Sequence, residues 1–149
     1  MKTILVAIDL SPITHKVIEG ATKLAAAMHA KIFLLHVVEP SVAYVPVGAA
    51  MDVITAPMPV ATPDLADAKE RLEKLATSLR SQGFEVETHV TVSIPPDEIL
   101  NQAKVVDAEL LVLGSHGHGA LYNLFSGSVV TSVLKQATVP ITVIPVHGK

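Results

Sequence analysis

ILVAI at residues 4–8 and LLVL at residues 110–113 are apolar at every position. A strand with one wet face alternates polar and apolar residues, whereas a strand covered on both faces does not. These two runs therefore read as central strands of a sheet with helices on both sides. Counting outward, residues 3–8, 31–38, 85–92, 109–113 and 140–145 give five short apolar runs, each read as a strand. The run EVETHVTV at 85–92 alternates, with Val86, Thr88, Val90 and Val92 on one face and Glu85, Glu87 and His89 on the other, so it belongs nearer an edge.

Helical patterns separate these runs. Ser11 and Pro12 form an N-cap and first-position pair, and Ile13, Val17, Ala21, Leu24 and Met28 follow as one apolar stripe. A second helix is expected from Thr62 and Pro63, with Leu65, Ala68, Leu72, Leu75, Ala76 and Leu79 inward and Gly83 as its left-handed stop. A third begins near Pro96, with Asp97 and Glu98 in its first turn. The last spans about Ser128 to Ala137, with Val129, Val130, Val133 and Leu134 apolar. Strand and helix alternate, which predicts right-handed crossovers and a mostly parallel, doubly wound sheet. The segment 39–61, EPSVAYVPVGAAMDVITAPMPVA, breaks the rhythm: it holds four prolines, no Lys or Arg and no clean period. It reads as a mobile loop, with a partial lid role as the alternative.

Composition agrees. The 149 residues fit one domain, 1–149, with a full core. Half are apolar but only 3% aromatic, so Val, Ile, Leu and Ala must build the interior. A formal charge of -3 offers no general attraction for nucleic acid or anionic lipid. The absence of cysteine excludes disulfides, a thiolate nucleophile and thiolate-ligated zinc. The opening MKTILVAIDLSP is stopped by Asp9 short of a signal-peptide core, and no stretch reaches the length of a membrane span. The expectation is a cytoplasmic protein.

Gly114-Ser115-His116-Gly117 follows the fourth run, then nine residues, then Gly127-Ser128 opening the last helix. Glycines admit close backbone approach, so N–H groups can converge on an anion while Ser128 adds a hydroxyl at a positive helix end. Neither G-x-x-x-x-G-K-[ST] nor a G-x-G-x-x-G after the first strand is present, so the common nucleotide loops are excluded. The bland alternative is a turn with close helix–strand packing. His116 and His118 have no third ligand nearby in sequence, so a metal site is not assigned. Ser115 and Ser128 lie outside G-x-S-x-G, so a hydrolase triad is not assigned either.

The spacing G-x-x-G-(nine residues)-G-[ST] resembles the ATP-binding signature of the universal stress protein family, matched at Gly114, Gly117, Gly127 and Ser128. ILVAIDLS, LLHVVEP, IPPDEI, GSHG and VPITVIP are similar to family segments in family order, across nearly the whole chain. The resemblance implies a three-layer α/β sandwich around a five-stranded parallel sheet of order 3-2-1-4-5, Rossmann-like and of the adenine nucleotide alpha-hydrolase type. It implies ATP in the crevice between strands one and four, where open α/β sheets bind ligands in any case. Asp9 would hold the nucleoside and the Val37 backbone would meet the adenine edge. Ala7, Leu113 and Val129 would line the pocket, and Gly114, His116, Gly117, Gly127 and Ser128 would take ribose and phosphates. It also implies a homodimer through the last strand, Val139 to Val146.

Two departures stand out. Ser93 occupies a turn where members often carry glycine, and HGALYNLFS, between the second and third signature glycines, has no Arg or Lys. Triphosphate charge would then rest on backbone N–H groups, the helix end, His116 or His118, and Mg²⁺ or Mn²⁺ riding on the phosphates. The expected function is a nucleotide-dependent sensor or regulator in stress physiology with at most slow ATP hydrolysis. The alternatives are an enzyme that uses ATP for slow hydrolysis or for phosphoryl or adenylyl transfer, with His116 or His118 as base, and a protein-interaction module that ignores nucleotide.

Overall fold

The computed structural model describes residues 1–49, 52–61, 64–115 and 128–145. Its elements in chain order are β1 (Thr3–Ala7), α1 (Thr14–Met28), β2 (Lys31–Val38), β3 (Ser41–Val47), β4 (Ile54–Ala61), α2 (Ala66–Ser81), β5 (Val86–Val92), α3 (Pro95–Val105), β6 (Leu110–Gly114), α4 (Ser128–Gln136) and β7 (Ile141–Ile144). The main sheet has the order β5-β2-β1-β6-β7 and every pairing in it is parallel. With the five strands numbered by themselves this is 3-2-1-4-5, as expected.

All of β1 and β6 is buried, because each strand is covered twice. Ile4 and Val6 of β1 and Ile8 just after it join Val17, Ala21 and Ala25 of α1 and Leu72, Ala76 and Leu79 of α2 in one core cluster. Leu5 and Ala7 point the other way, into a cluster with Ile99 and Ala103 of α3 and Val133 of α4. Burying a Leu or Ile side chain stabilises by about 1.5–3 kcal/mol, so these two cores dominate the fold's energetics. Gly20 allows a close approach of α1 to the sheet: a Cβ there would lie 2.5 Å from Ile144 Cδ1. The alternating β5 is the edge strand, tied to β2 by Lys31–Glu87 at 2.8 Å. It is tied to α2 by Arg80, which donates to the Val86 carbonyl.

Helix starts differ from expectation. Ser11 does not cap α1, whose N-cap position is Ile13 with no side-chain cap bond. Leu10 adopts a left-handed φ of 59°, which turns the chain so that Ser11 offers its carbonyl to Thr14 N at 3.0 Å instead. Similarly α2 begins at Ala66, whose N–H donates to Asp64 Oδ1 at 2.9 Å, while Thr62 and Pro63 lie outside the described residues. Gly83, at φ 94°, follows the helix end as read.

The larger correction concerns 39–61. This segment is not an irregular loop: β3 and β4 pair antiparallel as a two-stranded ribbon separate from the main sheet. The prolines that argue against a central strand are compatible with a ribbon, where each strand has one unpaired edge on which no N–H is needed. Gly48 opens the turn at φ 120°, where a Cβ would meet the Asp52 carbonyl oxygen at 2.5 Å.

Candidate functional site

The chain leaves β1 toward β2 and β5 on one side, then returns across it to β6 and β7. The strand order therefore reverses between β1 and β6, and the crevice at their carboxyl ends is where this architecture places ligands. Val6 pairs with Val112 and Ala7 with Leu35. Extending those registers brings Asp9 level with Ser115 on one side and Val37 on the other. Asp9, Val37 and the opening of the glycine segment thus converge at one end of the sheet from stretches far apart in sequence.

The mouth is held by specific bonds. Ile8 N–H continues the ladder to the Leu35 carbonyl at 3.0 Å. His36 Nδ1 lies 2.8 Å from the Ile8 carbonyl; a carbonyl only accepts, so that nitrogen carries the proton and the ring latches β2 to the end of β1. Asp9 Oδ1 accepts from Ser11 N–H at 3.0 Å, which fixes the carboxylate at the start of the turn. On the far side Gly114 pairs with Ile144, and Ser115 N–H donates to the Ile144 carbonyl at 2.8 Å.

The expected site residues divide three ways. Ala7, Val37 and Leu113 come together in one core cluster, but at 3%, 7% and 3% exposure their side chains form the floor beneath the mouth rather than its open wall. Asp9 and Gly114 stand at the strand ends. His116, Gly117 and Gly127 lie outside the described residues, and of Ser128 and Val129 only the backbone, in the first turn of α4, is described. Sequence reasoning did not foresee the roles of Leu10 and Arg71. Arg71 of α2 donates from Nη2 to the Leu10 carbonyl at 2.6 Å, bracing a left-handed turn that is unfavourable for a residue with a Cβ. The partners are 61 residues apart, and no local pattern signals such a contact. Among the described residues no group of three His, Asp or Glu could hold a metal ion, and no helix is long and apolar enough to cross a membrane.

A parallel sheet clad on both faces, reversing its strand order between β1 and β6, defines an open α/β protein. Residues 1–145 match the universal stress protein family, and the chain belongs to that family. Universal stress protein A homolog 2 of Coxiella burnetii is 33% identical over 150 residues, covering 99% of this chain and 97% of that one. The universal stress protein of Archaeoglobus fulgidus in complex with dAMP has a TM-score of 0.66 at 26% identity, over 97% of this chain and 98% of that one. An Arabidopsis thaliana family member with AMP bound has a TM-score of 0.62 at 22% identity, over 97% and 91%.

Proposed function

We propose that this chain binds an adenine nucleotide, ATP, at the β1–β6 mouth and acts as a nucleotide-dependent sensor or regulator in the cytoplasm, with slow or no turnover. The observation that carries the reading is positional. The signature spacing begins at Gly114, the last residue of β6, across the switch point from the Asp9 carboxylate at the end of β1. Asp9, oriented by Ser11 N–H, would accept from the nucleoside, and the Val37 backbone would meet the base. The amides around Gly114, Gly117 and Gly127 with Ser128 would cradle the phosphates, aided by the positive end of α4. Mg²⁺ or Mn²⁺ would arrive on the phosphates. Relatives with dAMP and AMP bound support the adenine nucleoside, and the signature itself supports the phosphates.

A homodimer through the last strand is part of the proposal. β7 pairs with β6 along one side only among the described residues, and Val143 is 41% exposed. An apolar edge strand is a template for pairing with a second copy.

Two measurements test the reading. Mass spectrometry of small molecules released from unheated protein should find ATP, and calorimetry should register ATP binding to the emptied protein. Gly127→Val should weaken ATP by about tenfold or more while light scattering still reports a dimer. Wild-type ATP affinity in that variant, or a protein that ignores ATP altogether, refutes the site.

A further inference from the structure

A cavity adjoins the switch point on the sheet face covered by α1 and α2, beginning at Leu10 and Ser11, which follow Asp9. It holds about 420 Å³ and is lined by the turn after β1, the first turn of α1 and the middle of α2. Its walls are apolar at Leu10, Pro12 and Leu75, with Arg71, Lys74 and His15 at its sides and no carboxylate among its lining residues. We propose that this groove binds a small organic anion, an oxyanion head group on a short apolar body.

Three observations converge on that chemistry. First, Thr14 is 6% exposed, and neither its Oγ1 nor the buried Oγ of Ser11 has a hydrogen-bond partner among the described residues. Buried hydroxyls without partners are rare in natural folds, and each needs a reason. Both residues line the cavity, and their hydroxyls, once the side chains turn toward it, offer donors for an acceptor that the chain itself does not supply. Second, both stand at the amino end of α1, a 15-residue helix whose dipole favours negative charge there. Third, the Arg71 guanidinium spends one donor on the Leu10 carbonyl at 2.6 Å and lies 3.9 Å from its nearest carboxylate, Asp67, so further N–H donors can serve a ligand. Lys74 contributes less, being paired with Glu70 at 2.8 Å. His15 keeps its Nδ1 proton on the Pro12 carbonyl at 2.7 Å. A volume of this order accommodates a chain of several carbons against Leu10, Pro12 and Leu75, and the head group would meet Ser11, Thr14 and Arg71.

The test is a titration of the full chain with hexanoate, hexyl phosphate and hexan-1-ol, followed by residue-assigned amide resonances. At least one anion should saturate shifts centred on Thr14, His15, Arg71 and Ser78, with hexan-1-ol about tenfold weaker or worse; the tighter of the two anions identifies the head group. Thr14→Val and Ser11→Ala should each weaken that anion by about fivefold or more. Thr14→Val should leave urea stability unchanged or raised, because the hydroxyl it removes has no partner among the described residues. Hexan-1-ol binding as tightly as the anions, both variants at wild-type affinity, shifts centred on Gly114 and Ser115, or no saturation up to tens of millimolar would each overturn the proposal.

Discussion

β1 and the β3–β4 ribbon are both apolar stretches of strand, yet every residue of β1 is buried while the burial of β3 is mostly surface. Leu5 is 0% exposed; Tyr44 is 68% and Ile54 67%. No described residue of the ribbon belongs to either core cluster. What separates them is cover: β1 has a paired strand on each edge and a helical layer on each face, and among the described residues each ribbon strand pairs only with the other. Hydrophobicity makes burial favourable, but only neighbouring elements can supply it.

The contrast can be broken at its strongest point first. Leu111→Ala in β6, fully buried, should cost about 2–5 kcal/mol in urea unfolding, and Tyr44→Ala in β3 should stay within about 0.5 kcal/mol. Comparable losses at the two positions would show that the ribbon is part of the core. Replacing residues 41–61 by a short Gly/Ser linker should change stability by about 1 kcal/mol or less, since an isolated hairpin is itself marginal. Loss of the cooperative thermal transition would contradict this.

Between these extremes lies β7, an edge strand that α1 does cover. Gly20→Ala gains about 1 kcal/mol of helix propensity but drives a Cβ into Ile144, where Cδ1 would be 2.5 Å and Cγ1 3.0 Å away. The two effects should nearly cancel in the wild type. Combined with Ile144→Val, which removes Cδ1, the same change should stabilise by about 0.5–1 kcal/mol. Equal effects in both backgrounds would mean that α1 and β7 do not meet as described.

The smallest effect belongs to the other edge. Glu73 of α2 accepts from Arg80 and, at 3.1 Å, from Thr88 of β5, and these bonds hold its carboxyl below the ordinary 4.5. A depressed folded value favours the charged form, so its stabilisation is present above the ordinary range and fades as pH falls through the folded value. Between about pH 5 and pH 3 the urea midpoint should fall slightly less in Glu73→Gln than in wild type. Glu19 and Glu70, held low by Lys23 and Lys74, contribute to the slope in both. Identical profiles would remove Glu73 from the account.

Much of the scaffold was legible because its signals are local. Two-sided apolarity marked β1 and β6 as central, alternation marked β5 as the edge, and Gly83 marked the end of α2. The ribbon was not legible: its prolines erase the alternation that identifies a strand, and only the Val42–Pro59, Tyr44–Pro57 and Pro46–Thr55 pairings show how they are accommodated. Ser11 misled for a similar reason, since its cap-like sequence is overruled by the turn that Leu10 makes and Arg71 braces from α2.

The sequence by itself determined the order of the main-sheet strands and their helices, the two covered faces of each central strand and the glycine spacing after β6, because period and φ preference are properties of neighbouring residues. Only the tertiary structure decided that Asp9 and Gly114 share one end of the sheet, that Ala7, Val37 and Leu113 lie under it as floor, and that Ser11, Thr14 and Arg71 line one groove. Those relations join residues tens of positions apart, and packing of one layer on another sets them.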